Sequence, residues 1–316
     1  QSQSKYSGLI KKVEFSTLYS FNNRARLFVG YEQRDEQAFS QTAWGSFQNQ
    51  TQTAASLFGQ LSWEEPLFSG TASLRRETFV KDSNDTLNAY GIHLYRDLPV
   101  FENTRVMVGF ENGFRHPSLY QRFDSFYGNA ALTPEFSNHS SFSIEHKIDD
   151  AIRLQYTSFQ NTIDDMIVWT SSSYINSTTQ RESKGIELSV NLLDIFFINR
   201  AQFVYTHLDK KVESVIPDEK VTSFFLIDFP SFNDPFSSEL TYDPIKPSLS
   251  FQVDHYQNRQ PLDDATIVNT TLSFNREDFR TFIQVQNLFN EEYELVSGYQ
   301  TLPQSVIFGL TFDILR

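Results

Sequence analysis

Apolar and polar residues alternate with period two along most of this chain. A side-chain period of two is the geometry of an extended strand whose two faces meet different surroundings. In the segment Lys184 to Leu192, Ile186, Leu188, Val190 and Leu192 interleave with Glu187, Ser189 and Asn191. Leu249, Phe251 and Val253 alternate with Ser250, Gln252 and Asp254, and Val306, Phe308, Leu310, Phe312 and Ile314 with Ser305, Gly309, Thr311 and Asp313. Similar segments lie near Val13, Leu27, Leu57, Ala72, Tyr90, Val106, Phe142, Leu154, Phe203, Leu240, Val268 and Ile283. That makes about fifteen strands, with no run at helical spacing. The expected class is all-β.

Which face meets what depends on composition. The 316 residues include 31 Phe, 14 Tyr and 3 Trp, yet mean hydropathy is only −0.40. Abundant apolar surface is therefore interleaved with polar residues, and no window approaches the roughly 18 apolar residues of a membrane-crossing helix. A propeller would repeat its turn motifs about every 40 to 50 residues, and no such repeat is present. Alternation by itself does not separate a soluble barrel, apolar inside, from a membrane barrel, apolar outside.

Connection lengths add direction, because outer-membrane barrels have short periplasmic turns and long extracellular loops. Short connections are expected at Asn22-Asn23, Glu64 to Phe68, Pro99 to Thr104, Asp149-Asp150, Asp194 to Asn199, Asp243 to Lys246 and Arg276 to Asp278. Between them lie Asp35 to Gln52, Lys81 to Thr86, Arg115 to Ser137, Thr170 to Glu182, Asp209 to Pro235, Gln257 to Asp264 and Asn290 to Pro303. Asp209 to Pro235 is expected to be a mobile extracellular loop, since Pro217 interrupts any strand there. The pattern predicts a transmembrane antiparallel β-barrel. Leu188, Phe251, Val253, Leu310 and Phe312 should face lipid, and Glu187, Gln252, Asp254 and Thr311 the lumen.

Several functions are disfavoured. Asp and Glu outnumber Lys and Arg by 39 to 26, against the clustered positive charge of a nucleic-acid surface. There is no Cys, and the six His show no metal-ligand spacing. The acidic pairs Asp149-Asp150, Asp164-Asp165, Asp263-Asp264 and Glu291-Glu292 fall at expected strand ends, where they favour turns and solvation. No GxSxG, P-loop or GxGxxG is present. No enzyme, cofactor or metal centre is expected.

Four segments, in chain order, carry a family resemblance. Gly113-Phe114-Arg115-His116-Pro117-Ser118-Leu119-Tyr120 precedes Tyr127-Gly128-Asn129 and Leu132-Thr133-Pro134-Glu135; Asn161 to Ile167, Glu182-Ser183-Lys184-Gly185-Ile186-Glu187-Leu188 and Val285-Gln286-Asn287-Leu288-Phe289-Asn290-Glu291-Glu292-Tyr293 follow. Together they resemble the barrel of TonB-dependent receptors, most nearly the cobalamin and siderophore branch. His116 stands where the family usually has Ala, and Ala130-Ala131 replaces a Pro-containing pair.

The resemblance implies a bacterial outer-membrane location, contact with lipid, and uptake of a metal chelate or cobalamin-like nutrient. Receptor barrels of this kind have 22 strands around a plug. Residues 1–316 are thus expected to form the C-terminal portion of the barrel, without plug and first strands. Another polypeptide segment is expected to supply these and to reach TonB, and the edge at Lys12 to Phe21 is expected to pair outside this sequence. A structural or assembly barrel that has lost transport is the alternative. In the Arg115 to Ser137 loop, the cationic and aromatic side chains of Arg115, His116, Tyr120, Arg122, Phe126 and Tyr127 suit an anionic or planar chelate; the plainer expectation is that they pack the loop against neighbouring loops and form the outer aromatic girdle. Lys184, Gly185, Asn287, Leu288 and Phe289 are expected to have structural roles, Gly185 at a close approach or bulge and Asn287 bonded to local backbone.

Overall fold

The computed structural model describes residues 5–41, 46–65, 68–79, 85–210, 217–231, 244–259, 261–276, 279–296 and 298–312. The strands of the first half are β1 (Lys5–Ser20), β2 (Ala25–Gln41), β3 (Ser46–Trp63), β4 (Ser69–Phe79), β5 (Thr86–Asp97), β6 (Thr104–Arg115), β7 (Glu135–Lys147) and β8 (Ile152–Asp164), with one helical turn, α1 (Leu119–Phe123), between β6 and β7. Then come β9 (Ile167–Trp169), β10 (Tyr174–Asn176), β11 (Arg181–Ile195), β12 (Ile198–Lys210), β13 (Glu219–Asp228), β14 (Lys246–Gln257), β15 (Ala265–Asn275), β16 (Phe279–Gln286), β17 (Glu294–Val296), β18 (Tyr299–Gln300) and β19 (Ser305–Phe312). Fifteen of them form one sheet in the order β1-β2-β3-β4-β5-β6-β7-β8-β11-β12-β13-β14-β15-β16-β19, while β9 with β10 and β17 with β18 make separate hairpins. Every sheet neighbour is the next long strand in the chain, which is the economy of an up-and-down meander.

The chain divides into two compact units, residues 1–100, 105–142 and 159–183, and residues 101–104, 143–158 and 184–316. In the second unit, β13 to β16 and β19 sort most of their side chains between two faces, with Phe224, Leu226, Ile267, Phe282 and Ile307 as apolar residues on the otherwise polar one. Cross-strand partners share a face, and the pairs Phe225↔Phe251, Val253↔Val268, Leu272↔Ile283, Ile283↔Phe308 and Thr281↔Leu310 fix an apolar one. The opposite face carries Thr222↔Asp254, Gln252↔Asn269, Thr271↔Gln284 and Arg280↔Thr311. Away from the edge strand β19, whose two faces are both open, the apolar face is the more open one: Val221 is 37% exposed and Phe251 and Val253 are half-buried, whereas Asp254, Ile267 and Ser273 on the other face are buried and Gln252 alone of the four polar residues 252, 254, 269 and 271 named there is exposed. Asp254 accepts from Thr222 Oγ1 at 2.8 Å and Gln252 Nε2 at 2.7 Å, with Lys220 Nζ at 3.5 Å. A protein sorted this way is matched to lipid outside and water or polar groups inside.

The first unit repeats the arrangement. Tyr31↔Leu57, Leu74↔Tyr90 and Ile92↔Phe110 lie on its exposed apolar face. On the polar face Glu32 and Glu77 are buried, and a charge network crosses β1 to β4. Lys12 Nζ stands 2.7 Å from Glu14 and 2.8 Å from Glu32; Arg75 Nη2 is 3.1 Å from Glu32 and 2.8 Å from Glu77; Arg34 Nη2 is 3.4 Å from Glu77. Ser56 Oγ donates to Glu77 at 2.8 Å and accepts from Arg75 at the same distance. Buried carboxylates are tolerable because each is paired and hydrogen-bonded. Further along the same face, Ala54, Phe79 and Leu87 make a small apolar cluster with Phe114 and Phe136 against it.

Several sequence expectations are corrected. Asp35 to Gln52 is not a loop: β2 runs on to Gln41 and β3 starts at Ser46, with a register shift between Ala38 and Ser40 where Asn49 takes φ +48°. These strand ends look polar on both faces because an apolar band only about 25 Å tall needs to face lipid, and longer strands project beyond it. Asp209 to Pro235 contains β13, whose Phe224-Phe225-Leu226-Ile227 run hides its alternation. The strand expected near Leu240 lies outside the described residues. The connection from β13 to β14, residues 229–245, falls on the short-turn side and breaks the length rule. Thr170 to Glu182 and Asn290 to Pro303 overlap the two small hairpins.

Candidate functional site

The connection from β6 to β7 is a folded structure anchored at both ends. At its base the Arg115 guanidinium donates to the Glu135 carboxylate through Nε at 2.5 Å and Nη2 at 2.7 Å, and Glu135 Oε1 also accepts the backbone N–H of Ile167. One buried carboxylate thereby ties β6 to β7 and to the start of the β9–β10 hairpin. Pro117 holds His116 extended. The His116 ring lies flat on fully buried Phe79, centroids 4.1 Å apart, and Gln52 Nε2 lies 3.0 Å from its Nδ1. The loop therefore reaches back across β5 to β4 and β3, on the polar face. Ser46 N donates to Ser125 Oγ at 2.7 Å, adding a contact to β3.

Between these anchors the chain is shaped locally. Ser118 caps α1, accepting from Gln121 N at 3.2 Å, while the Gln121 amide oxygen accepts from Ser118 N at 3.0 Å, a reciprocal capping box. Buried Asp124 ends the turn and accepts the N–H groups of Phe126 and Tyr127 at 3.1 and 2.9 Å. Gly128 is required there, since a Cβ would stand 2.4 Å from Asp124 O. The hairpin then docks on the loop: Asn129 Nδ2 donates to Tyr174 O at 2.9 Å, and Asn176 accepts from Thr133 N and donates to Thr133 O, each at 2.9 Å.

Rings run through this assembly in sequence. Phe126 meets Tyr127 edge-on at 4.8 Å, Tyr127 meets Trp169 at 4.9 Å, Trp169 meets Tyr174 at 5.1 Å, Tyr174 meets Tyr120 at 6.3 Å, and Tyr120 meets Phe47 at 6.2 Å. The first four pairs are edge-to-face and the last is tilted; edge-to-face contacts add about 0.5 to 1.5 kcal/mol per pair beyond area burial. Burial pushes the Tyr120 phenol above its ordinary value, with the Asp124 carboxylate adding to the rise, so it stays neutral. The Arg122 guanidinium lies over the Phe123 ring at 4.8 Å.

The six loop residues thus occupy one substructure in different roles. Arg115 and His116 hold its footing, Tyr120 and Tyr127 join the ring series, and Phe126, with Trp169, offers its most exposed aromatic surface. Glu135, Trp169, Tyr174 and Asn176 belong to the same assembly and were not anticipated. Trp169 and Tyr174 flank Thr170-Ser171-Ser172-Ser173, a turn signal that marks a hairpin. Thr170 N donates to Ser173 O at 2.9 Å.

The other motif residues lie apart from the loop. Lys184 is exposed and Gly185 buried within regular β11, where Gly185 has no positive φ. Buried Asn287 takes φ +51°; its amide group donates to Glu291 O at 2.9 Å and accepts from Glu291 N at 2.8 Å, and Leu288 N donates to Val268 O at 2.7 Å. Asn287 is a turn former closing the end of β16, while Phe289 is left exposed.

A family model described as TonB dependent receptor-like, beta-barrel, matches residues 2–288. The vitamin B12 transporter BtuB of Vibrio cholerae serotype O1 is 24% identical over 329 residues, covering 99% of this chain and 51% of the transporter. Among solved structures, the siderophore receptor PirA from Acinetobacter baumannii superposes with TM-score 0.70 at 14% identity, over 98% of this chain and 55% of that one. The FrpB iron transporter from Neisseria meningitidis gives 0.69 at 11% identity, over 96% and 55%. The chain spans about half the length of the relatives it matches. Its exposed apolar and buried polar strand faces are those of an outer-membrane barrel, and the chain belongs to the TonB-dependent receptor β-barrel family.

Proposed function

We infer that this chain forms the C-terminal part of the barrel of an uptake receptor that moves a metal chelate or a cobalamin-like nutrient across the outer membrane, driven through TonB. The long connections then face the outside, and segments beyond this sequence supply the plug, the remaining strands and the contact with TonB. The observation that carries the reading is the anchored 115–134 loop, which reaches over the polar face of β3 and β4, where a solute entering the barrel would meet it. Its exposed Phe126, with Tyr127, Arg122 and the exposed Trp169 of the docked hairpin, offers ring surface and positive charge for a chelate. Arg115, His116 and Tyr120 act by holding that surface.

Uptake of radiolabelled cyanocobalamin and of ferric chelates should be measured in cells carrying the intact gene, the deletion, and the intact gene without TonB. Uptake of one of these solutes should depend on both the gene and TonB, and fall on replacement of Phe126 and Tyr127 by Ala. Unchanged uptake of every chelate and of cobalamin after deletion would rule the reading out.

A further inference from the structure

Two adjacent arginines on β4 take opposite faces of the sheet. Arg75, on the polar face, meets Glu32, Glu77 and Ser56. Arg76 stands on the apolar face of the first unit, in the row formed by Tyr31↔Leu57, Leu57↔Arg76 and Arg76↔Asn88. It is exposed, as are Leu57, Leu74 and Tyr90 around it. Among the described residues its guanidinium has no ion-pair, hydrogen-bond or ring partner. Strand parity holds it outward, since turning Arg76 in would turn Arg75 and Glu77 out.

A second arginine marks the opposite end of the same face. Arg96 on β5 pairs with Val106 and shares its face with Tyr90, Ile92 and Leu94. It too is exposed and has no partner among the described residues. Asn88, the cross-strand neighbour of Arg76, lies eight positions before Arg96 on β5. That is about 26 Å along the strand and about 20 Å in height at the tilt of about 35 to 45° usual in such barrels. An outward apolar band is about 25 Å tall, so the two guanidiniums bracket the band, each where head groups replace acyl chains. An arginine is tolerated at that depth and costly between, because its stem lies along apolar surface while its charge reaches the head groups.

The partner of Arg76 has to be anionic and continuous with lipid. Segments that complete the sheet pair at its edges, β1 and β19, whereas β4 is flanked by β3 and β5, so they leave this face uncovered. A phosphorylated lipid meets both demands. Its phosphate accepts two parallel N–H groups from one guanidinium, and its acyl chains cover the apolar residues below. We propose that Arg76 binds a phosphate of the outer leaflet's glycolipid, with Asn88 beside it for a sugar hydroxyl and the acyl chains along Leu57, Leu74 and Tyr90. Thr78 and Thr86, their hydroxyls 3.2 Å apart, add polar groups one row further out. The choice of leaflet rests on the orientation inferred above, in which the β4–β5 connection faces outward and the β5–β6 turn inward.

The intact receptor, extracted from membranes and stripped of lipid, can be titrated with diphosphorylated lipid A and with its dephosphorylated form, and the bound lipid read by native mass spectrometry. The phosphorylated form should bind more tightly on the order of tenfold. Arg76→Gln should abolish that preference, Arg76→Lys should keep part of it, and Arg96→Gln should leave it unchanged; circular dichroism of each variant establishes that it is folded. No preference for the phosphorylated lipid, or a preference untouched in folded Arg76→Gln, would overturn the site and leave nutrient uptake a separate question. Loss of the preference in Arg96→Gln instead of Arg76→Gln would overturn the assignment together with the orientation on which it rests.

Discussion

Arg115 and Glu135 face each other across the base of the loop, joined by two parallel hydrogen bonds of 2.5 and 2.7 Å from a half-exposed guanidinium to a buried carboxylate. Glu135 also receives the Ile167 amide, so loop and hairpin hang from one side chain. Glu135→Ala should free both, costing on the order of 1 to 3 kcal/mol for the donors left behind. Amide exchange should rise across both 118–129 and 167–176. A rise confined to one segment would mean that they are fixed independently.

His116 can be tested apart from the base. Replacement by Ala, the residue usual at this place in the family, removes the ring over Phe79 and the contact with Gln52. The loop should loosen at its outer footing only, with faster exchange at 117–121 and little change at Ile167. Loss of the ring contact should cost about 1 kcal/mol; unchanged exchange would show that Pro117 alone holds the footing.

The two sheet faces predict opposite tolerances. Phe251, paired with Phe225 and Thr270 on the apolar face, should cost about 2 to 4 kcal/mol when replaced by Arg at mid-membrane. Gln252→Arg, one residue away on the polar face, should stay within about 0.5 kcal/mol. Urea unfolding in lipid vesicles measures both. Equal costs would contradict the lipid-facing assignment.

The charge network on β1 to β4 should behave as a unit. Removing Glu77 alone leaves Arg75 and Ser56 without their shared acceptor, at about 1 to 3 kcal/mol, below a fully buried pair because Arg75 is partly solvated. Replacing Arg75 and Glu77 together by Met should cost less than the two single changes summed, as a double-mutant cycle would read. Additive costs would mean that the pair is energetically uncoupled.

Asn287 combines a left-handed backbone with two side-chain hydrogen bonds to Glu291. Asn287→Ala loses both and should cost about 1 to 3 kcal/mol; Asn287→Gly keeps the backbone freedom and should cost less. Thermal unfolding of the two variants decides the order.

The fold class, most of the strands and the membrane logic are legible in the residues alone. Period two is written residue by residue in segments such as 184–192 and 249–254, and which residues share each strand's apolar face follows from that parity. The Arg115 and Asn287 motifs also stood out, because their residue types and order are local properties. Where polarity ceases to alternate, legibility ends: β2 and β3 continue past the apolar band with polar side chains on both faces, and β13 is apolar on both.

What the loop residues do follows from contacts that exist only in the folded chain. His116 lies 37 residues from Phe79, and Tyr120 lies 54 from Tyr174, by difference of their positions. Their contacts depend on the loop crossing β5 and β4 and on a hairpin folding onto it. The same holds for Glu135, whose carboxylate gathers donors from two distant segments. Periodicity records which face a side chain takes. It carries no information about which other segment will come to rest on that face, because that choice is made by non-local hydrogen bonds and ring packing that leave no period in the sequence.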